Sequence, residues 1–301
     1  MTTDIHTHPD TAGPFPGDAP GDAPGDALEA AVARLTRAAA TRTPCAPVRD
    51  LIGDTGVDAA YEVQRRLADA RTAAGARRVG AKIGLTAPAV QEQFGVFEPD
   101  FGMLFDDMVF AHGEPVGLDR FLQPRAEGEV AFVLDSDLDL PGATVADVLR
   151  ATAFVLPAIE IVDSRISRWD LTIADTVADN ASSGAVVLGT VPRTLNGLDL
   201  AQVGMTLYRD EEPVSFGAGH ACLGSPVVAV TWLARELARR GRPLRAGDVV
   251  MSGALGPMVE ITGGGLYRLE LDGLGTVESR IESPIESWSE SRSESPIEEN
   301  T

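Results

Sequence analysis

Cysteine is scarce in this 301-residue chain: Cys45 and Cys222 are the only two. Two thiols cannot build the disulfide framework on which small secreted domains depend, so a reducing cytoplasm is the expected compartment. Long apolar runs are missing as well. No stretch approaches the roughly 20 apolar residues needed to cross a bilayer. The opening MTTDIHTHPD has no basic start followed by an apolar segment, so no secretory signal is expected. Positive charge is in short supply: 25 Lys and Arg face 45 Asp and Glu, a net charge of -20. Nucleic acid and anionic membrane both demand concentrated Lys and Arg, and neither is expected as a partner. Half of the imbalance lies at the two ends. Residues 1–27 carry five Asp and no Lys or Arg, and residues 281–301 carry six Glu against Arg292 alone. The acidity therefore says little about any site. Phosphate-binding signatures are absent too. Gly263–Gly265 are not followed by Lys and Ser or Thr, and no G-x-G-x-x-G follows a strand.

What is present is a globular composition, 44% hydrophobic and 23% charged, between two unusual ends. Gly17–Leu28 reads GDAP-GDAP-GDAL, too rich in Pro and Gly for a helix or strand. The other end repeats ESPIE at Glu282–Glu286 and Glu294–Glu298 among Ser and Glu, with Trp288 isolated. Four segments are expected: an acidic disordered tail at 1–27, a helical portion at 28–108, a β-rich catalytic portion at 109–281 and a disordered Ser/Glu-rich tail at 282–301. Apolar spacing predicts helices at Ala27–Thr41, Val57–Ala74, Pro88–Phe94, Val145–Ala153, Thr172–Ala178 and Val227–Arg240. Strands are predicted at Arg78–Gly84, Glu127–Leu134, Ala158–Val162, Ala185–Leu188, Met205–Arg209, Val249–Ser252, Met258–Ile261, Tyr267–Leu271 and Thr276–Arg280. Helices do not alternate regularly with these strands, so the class is α+β and not a doubly wound parallel sheet.

The sharpest local signal is Ala126-Glu127-Gly128-Glu129-Val130-Ala131-Phe132-Val133-Leu134. Residues i and i+2 of a strand share a face, so Glu127 and Glu129 project side by side from an otherwise apolar strand. Like charges that close raise each other's pKa unless a cation lies between them. A hard divalent ion, Mg2+ or Mn2+, prefers such oxygen donors. Glu160 lies in a second apolar stretch, Leu156–Asp163, where an uncompensated charge is costly. On spacing alone a second reading stays open, in which Glu127 and Glu129 sit on a solvated face and Glu160 pairs with an arginine such as Arg165.

Longer motifs surround these acids. The runs Gly80-Ala81-Lys82-Ile83-Gly84-Leu85-Thr86, Gln93–Val96, Glu98–Phe105, Arg125–Leu134, Pro157–Ile166, Asp170–Gly189 and Gly224–Pro257 occur in this order. Together they resemble the 2-keto-4-pentenoate hydratase family of the fumarylacetoacetase-like superfamily, which also holds 4-oxalocrotonate decarboxylases. The resemblance spans about Leu28 to Ile281. It implies a helical part packed on a β-rich roll and a homo-oligomer built from dimers. It implies a metal on Glu127, Glu129 and Glu160, with Lys82 and Asp100 flanking the substrate and Ser252 contacting it. A glutamate as third acid favours the hydratase and decarboxylase branch over the acylpyruvate hydrolases. The implied substrate is a small 2-oxo or 2-hydroxy-dienoic acid, 2-hydroxypenta-2,4-dienoate or a close analogue, in aromatic meta-cleavage catabolism. The implied activity is a hydro-lyase reaction, with a decarboxylase as alternative and a non-catalytic scaffold displaying the acidic tails as a third reading.

Other residues carry plainer expectations. Asp163 and Arg165 read as a structural ion pair, and Asp179 and Asn180 as capping or turn residues. His6 and His8 mimic a metal-binding H-x-H but precede the repeat, and His220 reads as an incidental loop residue. Neither Cys45 nor Cys222 has an evident base partner.

Overall fold

The computed structural model describes residues 25–53, 57–87, 91–92 and 98–283. His6, His8, Trp288, the body of both tails and most of the expected helix Pro88–Phe94 lie outside the described residues. Three helices come first: α1 (Gly25–Thr41), α2 (Arg49–Ile52) and α3 (Asp58–Ala73). The first of them starts inside the acidic repeat. Leu28, Ala31, Leu35 and Ala38 recur at helical spacing on its buried face. Next come β1 (Arg78–Gly84), β2 (Asp100–Phe105), β3 (Val109–Ala111), β4 (Val116–Gly117) and β5 (Arg125–Leu134). Helix α4 (Val145–Ala151) leads into β6 (Thr152–Val162), and α5 (Ile173–Ala178) into β7 (Ser183–Leu188). The hairpin β8 (Gly204–Arg209) and β9 (Glu212–Ala218) precedes α6 (Pro226–Arg239). The chain ends in β10 (Val249–Met251), β11 (Val259–Glu260), β12 (Gly265–Leu271) and β13 (Gly275–Glu282).

These strands form two sheets. One runs β2-β1-β10-β5-β6-β7-β3, with β11 added to β5, and the other runs β4-β13-β12-β8-β9. The large sheet is mixed: β1 lies parallel to β10 and β3 parallel to β7, while the remaining pairs are antiparallel. This is the α+β class expected. The small sheet packs on one face of β5, at Gly128. A Cβ there would lie 2.5 Å from Leu269 Cδ1 and 3.1 Å from Met205 Cγ, so only glycine lets the sheets meet. With Gly128 turned to the small sheet, Glu127 and Glu129 face the opposite side.

Several elements differ from the sequence expectation. Strand β6 is 11 residues long and runs through Pro157, which pairs opposite Val130. Proline donates no ladder hydrogen bond and normally marks a strand limit, so the spacing rule started this strand too late. Strand β2 was not expected at all, because Pro99 and Gly102 break its pattern. It forms nonetheless. Tyr61 of α3 stacks on Phe101 with ring centroids 4.5 Å apart, and Gln64 Nε2 donates to Phe101 O at 2.7 Å and Val177 O at 2.9 Å. Strands β1 and β2 fall within the expected helical portion 28–108, yet they belong to the large sheet, β2 as an edge strand and β1 between it and β10.

The expected Asp163–Arg165 pair does not form. Asp163 Oδ1 accepts from the Leu122 and Gln123 backbone N–H groups, which a nearby loop leaves without strand partners. Arg165 pairs instead with Asp179 at 2.5 Å, both largely buried, at the end of α5. The next three residues, Asn180, Ala181 and Ser182, all have positive φ, of 56°, 50° and 54°. Non-glycine residues adopt this left-handed conformation only when their surroundings over-determine it. The Asn180 side chain supplies part of that, accepting from Met103 N at 2.8 Å and donating to Met103 O at 2.9 Å. Removing one partner of the Arg165–Asp179 pair strands the other charge. Asp179→Ala is expected to cost about 3–5 kcal/mol in urea unfolding, and a loss under about 1 kcal/mol would contradict this role.

Candidate active site

Antiparallel pairing of β5 with β6 sets Glu127 directly opposite Glu160, and Glu129 opposite Ala158. One oxygen from each of Glu127, Glu129 and Glu160 lies within 4.8 Å of the others. No other three His, Cys, Asp or Glu side chains converge this way among the described residues. Glu129 and Glu160 are 0% exposed, and Glu127 is partly exposed. The solvated-face reading of Glu127 and Glu129 therefore fails for Glu129. Its expected partner for Glu160 also fails, since Arg165 is engaged with Asp179 and the cation nearest Glu160 is Lys82, with Nζ 3.4 Å from Oε1.

Lys82 and Asp100 arrive from the neighbouring strands. Lys82 sits on β1, opposite Gly102 of β2 and Met251 of β10, and Asp100 pairs with Gly84. Both are at most 3% exposed. Gly84 is what lets them approach. A Cβ on it would lie 2.1 Å from Asp100 Oδ1 and 3.5 Å from Lys82 Nζ, so any side chain would displace the carboxyl from the lysine. Thr176 of α5 donates to Asp100 Oδ2 at 3.1 Å, while Oδ1 has no hydrogen-bond partner.

Burial works against the ammonium of Lys82, but Glu160, Asp100, Glu127 and Glu129 outweigh it and hold its pKa above the ordinary value. The acids move the other way from their usual ionised state. Burial, then repulsion from Glu160, lifts Glu127 to about 7 against the pull of Lys82. Burial and the charges of Glu160 and Glu127 carry Glu129 well above the carboxylate range. Burial raises Glu160 and Asp100 too, with Lys82 opposing in both cases.

These groups border a cavity of about 1010 Å3. Lys82, Asp100 and Glu127 reach its wall, with Thr176 and the left-handed Ala181 and Ser182 beside them. Phe216, Leu255, Met258, Arg125, Arg168 and Trp169 also line it. His220 is also on the wall. Glu129 lies deeper, with Oε2 accepting from Gly253 N at 2.8 Å. Ser252 does not take the expected substrate-contacting position. It is 0% exposed, and its hydroxyl is 3.4 Å from both Val130 N and Gly253 O, behind the carboxylates. Cys222 is fully buried in the same layer, its Sγ 3.0 Å from Gly253 O, and burial beside Glu129 lifts its thiol to about 12. Thr176 and Arg125 were missed from the sequence. Arg125 was legible, being two residues before Glu127 on the same strand face, whereas the reach of Thr176 to Asp100 is purely tertiary.

The donor set fits a divalent cation. Glu129 Oε1 and both oxygens of Glu160 are buried without a hydrogen-bond partner. Three carboxylates face one ammonium, and an oxygen-coordinated cation satisfies both the open lone pairs and the charge.

The chain matches the fumarylacetoacetate (FAA) hydrolase C-terminal family over residues 71–282. It is 56% identical over 240 residues to a TodF product hydratase of Pseudomonas putida, covering 79% of this chain and 90% of the relative. It is 51% identical over 255 residues to a 2-keto-4-pentenoate hydratase of Paraburkholderia xenovorans, covering 85% and 95%. Among solved structures it superposes on a 4-oxalocrotonate decarboxylase of Pseudomonas putida G7, complexed with magnesium and adipate. That match has a TM-score of 0.81 at 32% identity and covers 85% of this chain and 97% of the other. The chain belongs to the fumarylacetoacetate hydrolase family, in its 2-keto-4-pentenoate hydratase and 4-oxalocrotonate decarboxylase branch. No helix among the described residues is long and apolar enough to cross a membrane.

The raised Glu127 pKa has a consequence for stability. Its folded value, about 7, exceeds its ordinary value of 4.5, so ionising it opposes folding. The group's contribution is fully present below about pH 4.5 and is lost as pH rises through about 7. In chelator-treated protein, Glu127→Gln is expected to gain Tm relative to wild type as pH goes from 5 to 8. A difference that does not change with pH would contradict the assignment.

Proposed function

We propose that this chain is a divalent-metal-dependent hydratase that adds water to 2-hydroxypenta-2,4-dienoate, or a close analogue, to give a 4-hydroxy-2-oxo acid. The observation that carries the reading is the triad Glu127, Glu129 and Glu160, with unpartnered buried oxygens on Glu129 and Glu160, at a cavity whose wall also carries Lys82 and Asp100. The names of the relatives at 56% and 51% identity point the same way, and the magnesium in the decarboxylase complex supports the metal. Glu127, Glu129 and Glu160 would hold Mg2+ or Mn2+. When bound, such an ion supplies Lewis-acid stabilisation of negative charge on the substrate's carboxylate and 2-oxygen.

The chain's own groups handle the rest. Lys82 lies within reach of the same anionic centre and offsets charge that develops on the substrate oxygen. Asp100 has one free oxygen, Oδ1, aimed at the site, and burial raises its pKa above the ordinary carboxylate value, which suits a group that accepts and returns a proton. That suits protonation of the dienol to the 2-oxo-enoic acid and activation of the water that then adds to the chain. Ser252 takes a positioning role in this scheme, through Gly253, whose N–H fixes Glu129. The catalytic unit draws Lys82 and Asp100 from portion 28–108 and the glutamates from portion 109–281. A homo-oligomer built from dimers, a cytoplasmic setting and a place in aromatic meta-cleavage catabolism complete the proposal.

A 4-oxalocrotonate-type decarboxylation is the second reading, favoured by the superposition on that enzyme. The same glutamates and lysine would stabilise an enolate formed by loss of CO2. Metal-loaded protein incubated with each dienoic substrate separates the two. Water addition to the monocarboxylate is expected, and CO2 release from the dicarboxylate with no turnover of the monocarboxylate would overturn the hydratase assignment. Asp100→Asn is expected to lower kcat by roughly 100- to 10,000-fold. Glu160→Gln is expected to abolish turnover at ordinary metal concentrations, while deletion of residues 284–301 leaves it intact. The reverse pattern would favour a scaffold over an enzyme.

A further inference from the structure

Arg125 opens β5, lines the cavity and shares its face with Glu127 and Glu129, one alternation step beyond the more exposed Glu127. Among the described residues it forms no ion pair. Its guanidinium lies 4.4 Å over the Trp169 ring, and Nη1 is 3.3 Å from Met258 Sδ. An aromatic face and a thioether hold the group in place without neutralising it. Glu260 stands opposite Arg125 in the β5–β11 register and Glu127 is two residues on, but neither forms an ion pair with it. A guanidinium with no ion-pair partner on a cavity wall is an anion-binding arrangement.

The surroundings are built to keep it there. Arg168 and Trp169 are consecutive non-glycine residues with positive φ, 60° and 54°. Gln123 ties this strained turn down. Its carbonyl accepts from Trp169 Nε1 at 3.1 Å, and its side-chain oxygen accepts from Arg168 N at 2.7 Å. Its Nε2 donates to Ser164 O at 2.9 Å and Ile166 O at 2.8 Å. Every polar atom of that side chain is spent on positioning the wall that carries the indole. Strain held this way at a cavity marks a functional surface.

We propose that Arg125 binds the carboxylate adjacent to the 2-oxygen of the substrate, and so orients the 2-oxo acid in the cavity. This rests on the 2-oxo acid reading above. The direction follows from where the proton-handling groups stand. Lys82 and Asp100 come from β1 and β2, beyond β10 from β5, so the carbons that gain and lose protons lie toward them. The carboxylate end then points toward the start of β5, where Arg125 offers a planar pair of N–H donors matched to two oxygens.

The test is calorimetric binding to Mn2+-loaded protein of 2-oxopentanoate, which cannot be hydrated, of the dicarboxylate 2-oxoadipate, and of acetohydroxamate, a chelator with no carboxylate. Arg125→Met is expected to weaken both 2-oxo acids by roughly 10- to 100-fold, the loss of one charge-assisted hydrogen-bonded contact. Acetohydroxamate affinity is expected to stay within about threefold. Arg125→Gln keeps a polar amide while removing the charge and the guanidinium fork, so it serves if the Met variant does not fold. Unchanged 2-oxopentanoate affinity overturns the proposal, as does an equal loss for all three ligands. A loss confined to 2-oxoadipate also overturns it, since that would place Arg125 on the remote carboxylate. Wild-type protein that binds no 2-oxo acid in the presence of Mn2+ defeats the functional reading itself, and is distinguishable because no variant is involved.

Discussion

Three carboxylates face a single ammonium in the interior of a β-sheet. Each like-charged pair at about 4 Å costs on the order of 4 kcal/mol at an effective dielectric of 20, and Lys82 can offset only part of that sum. The arrangement is therefore tolerable as protons on the acids, as raised pKa values, or as a cation among them. Much of the surrounding structure serves to keep the acids in this position. Gly128 lets the small sheet press on the back of β5, the register with β6 brings Glu160 across, and Gly253 N–H pins Glu129. Gly84 clears the space through which Asp100 approaches Lys82. A protein selecting for stability alone would fill such a layer with apolar side chains.

The site has a charged part and an apolar part. Lys82, Asp100 and Glu127 reach the cavity wall with Glu129 and Glu160 beside them, while Phe216, Leu255 and Met258 contribute apolar lining. A substrate with an anionic chelating head and a short unsaturated chain matches that division. In the proposed reaction the glutamates locate where negative charge develops. The groups along the chain's path decide whether the enolate is protonated and hydrated or is formed by loss of CO2.

How much of this was legible in the sequence depended on the range of the interaction. Alternation within one strand was enough to place Glu127 and Glu129 on one face, and the long motifs brought Glu160, Lys82 and Asp100 into the same site. That Glu160 stands opposite Glu127 is a matter of cross-strand register, which no local pattern encodes. Strand β2, which carries Asp100, was hidden by Pro99 and Gly102, and it is held by the Tyr61–Phe101 stack and the Gln64 bridge. Pro157 hid the first half of β6 for the same reason. The motif around Ser252 suggested a substrate contact, but a three-residue β10 buries that hydroxyl against β5. Arg165 looked like a partner for Asp163 because they are two residues apart, and it found Asp179 through the fold.

The most direct measurement of the central claim is anomalous diffraction from crystals soaked with Mn2+ and 2-oxopentanoate. A single anomalous peak bonded to oxygens of Glu127, Glu129 and Glu160, with the 2-oxo acid chelated on its open side, is the expected result. Absence of a peak between these residues at saturating Mn2+, with Lys82 remaining their only cation, would contradict it.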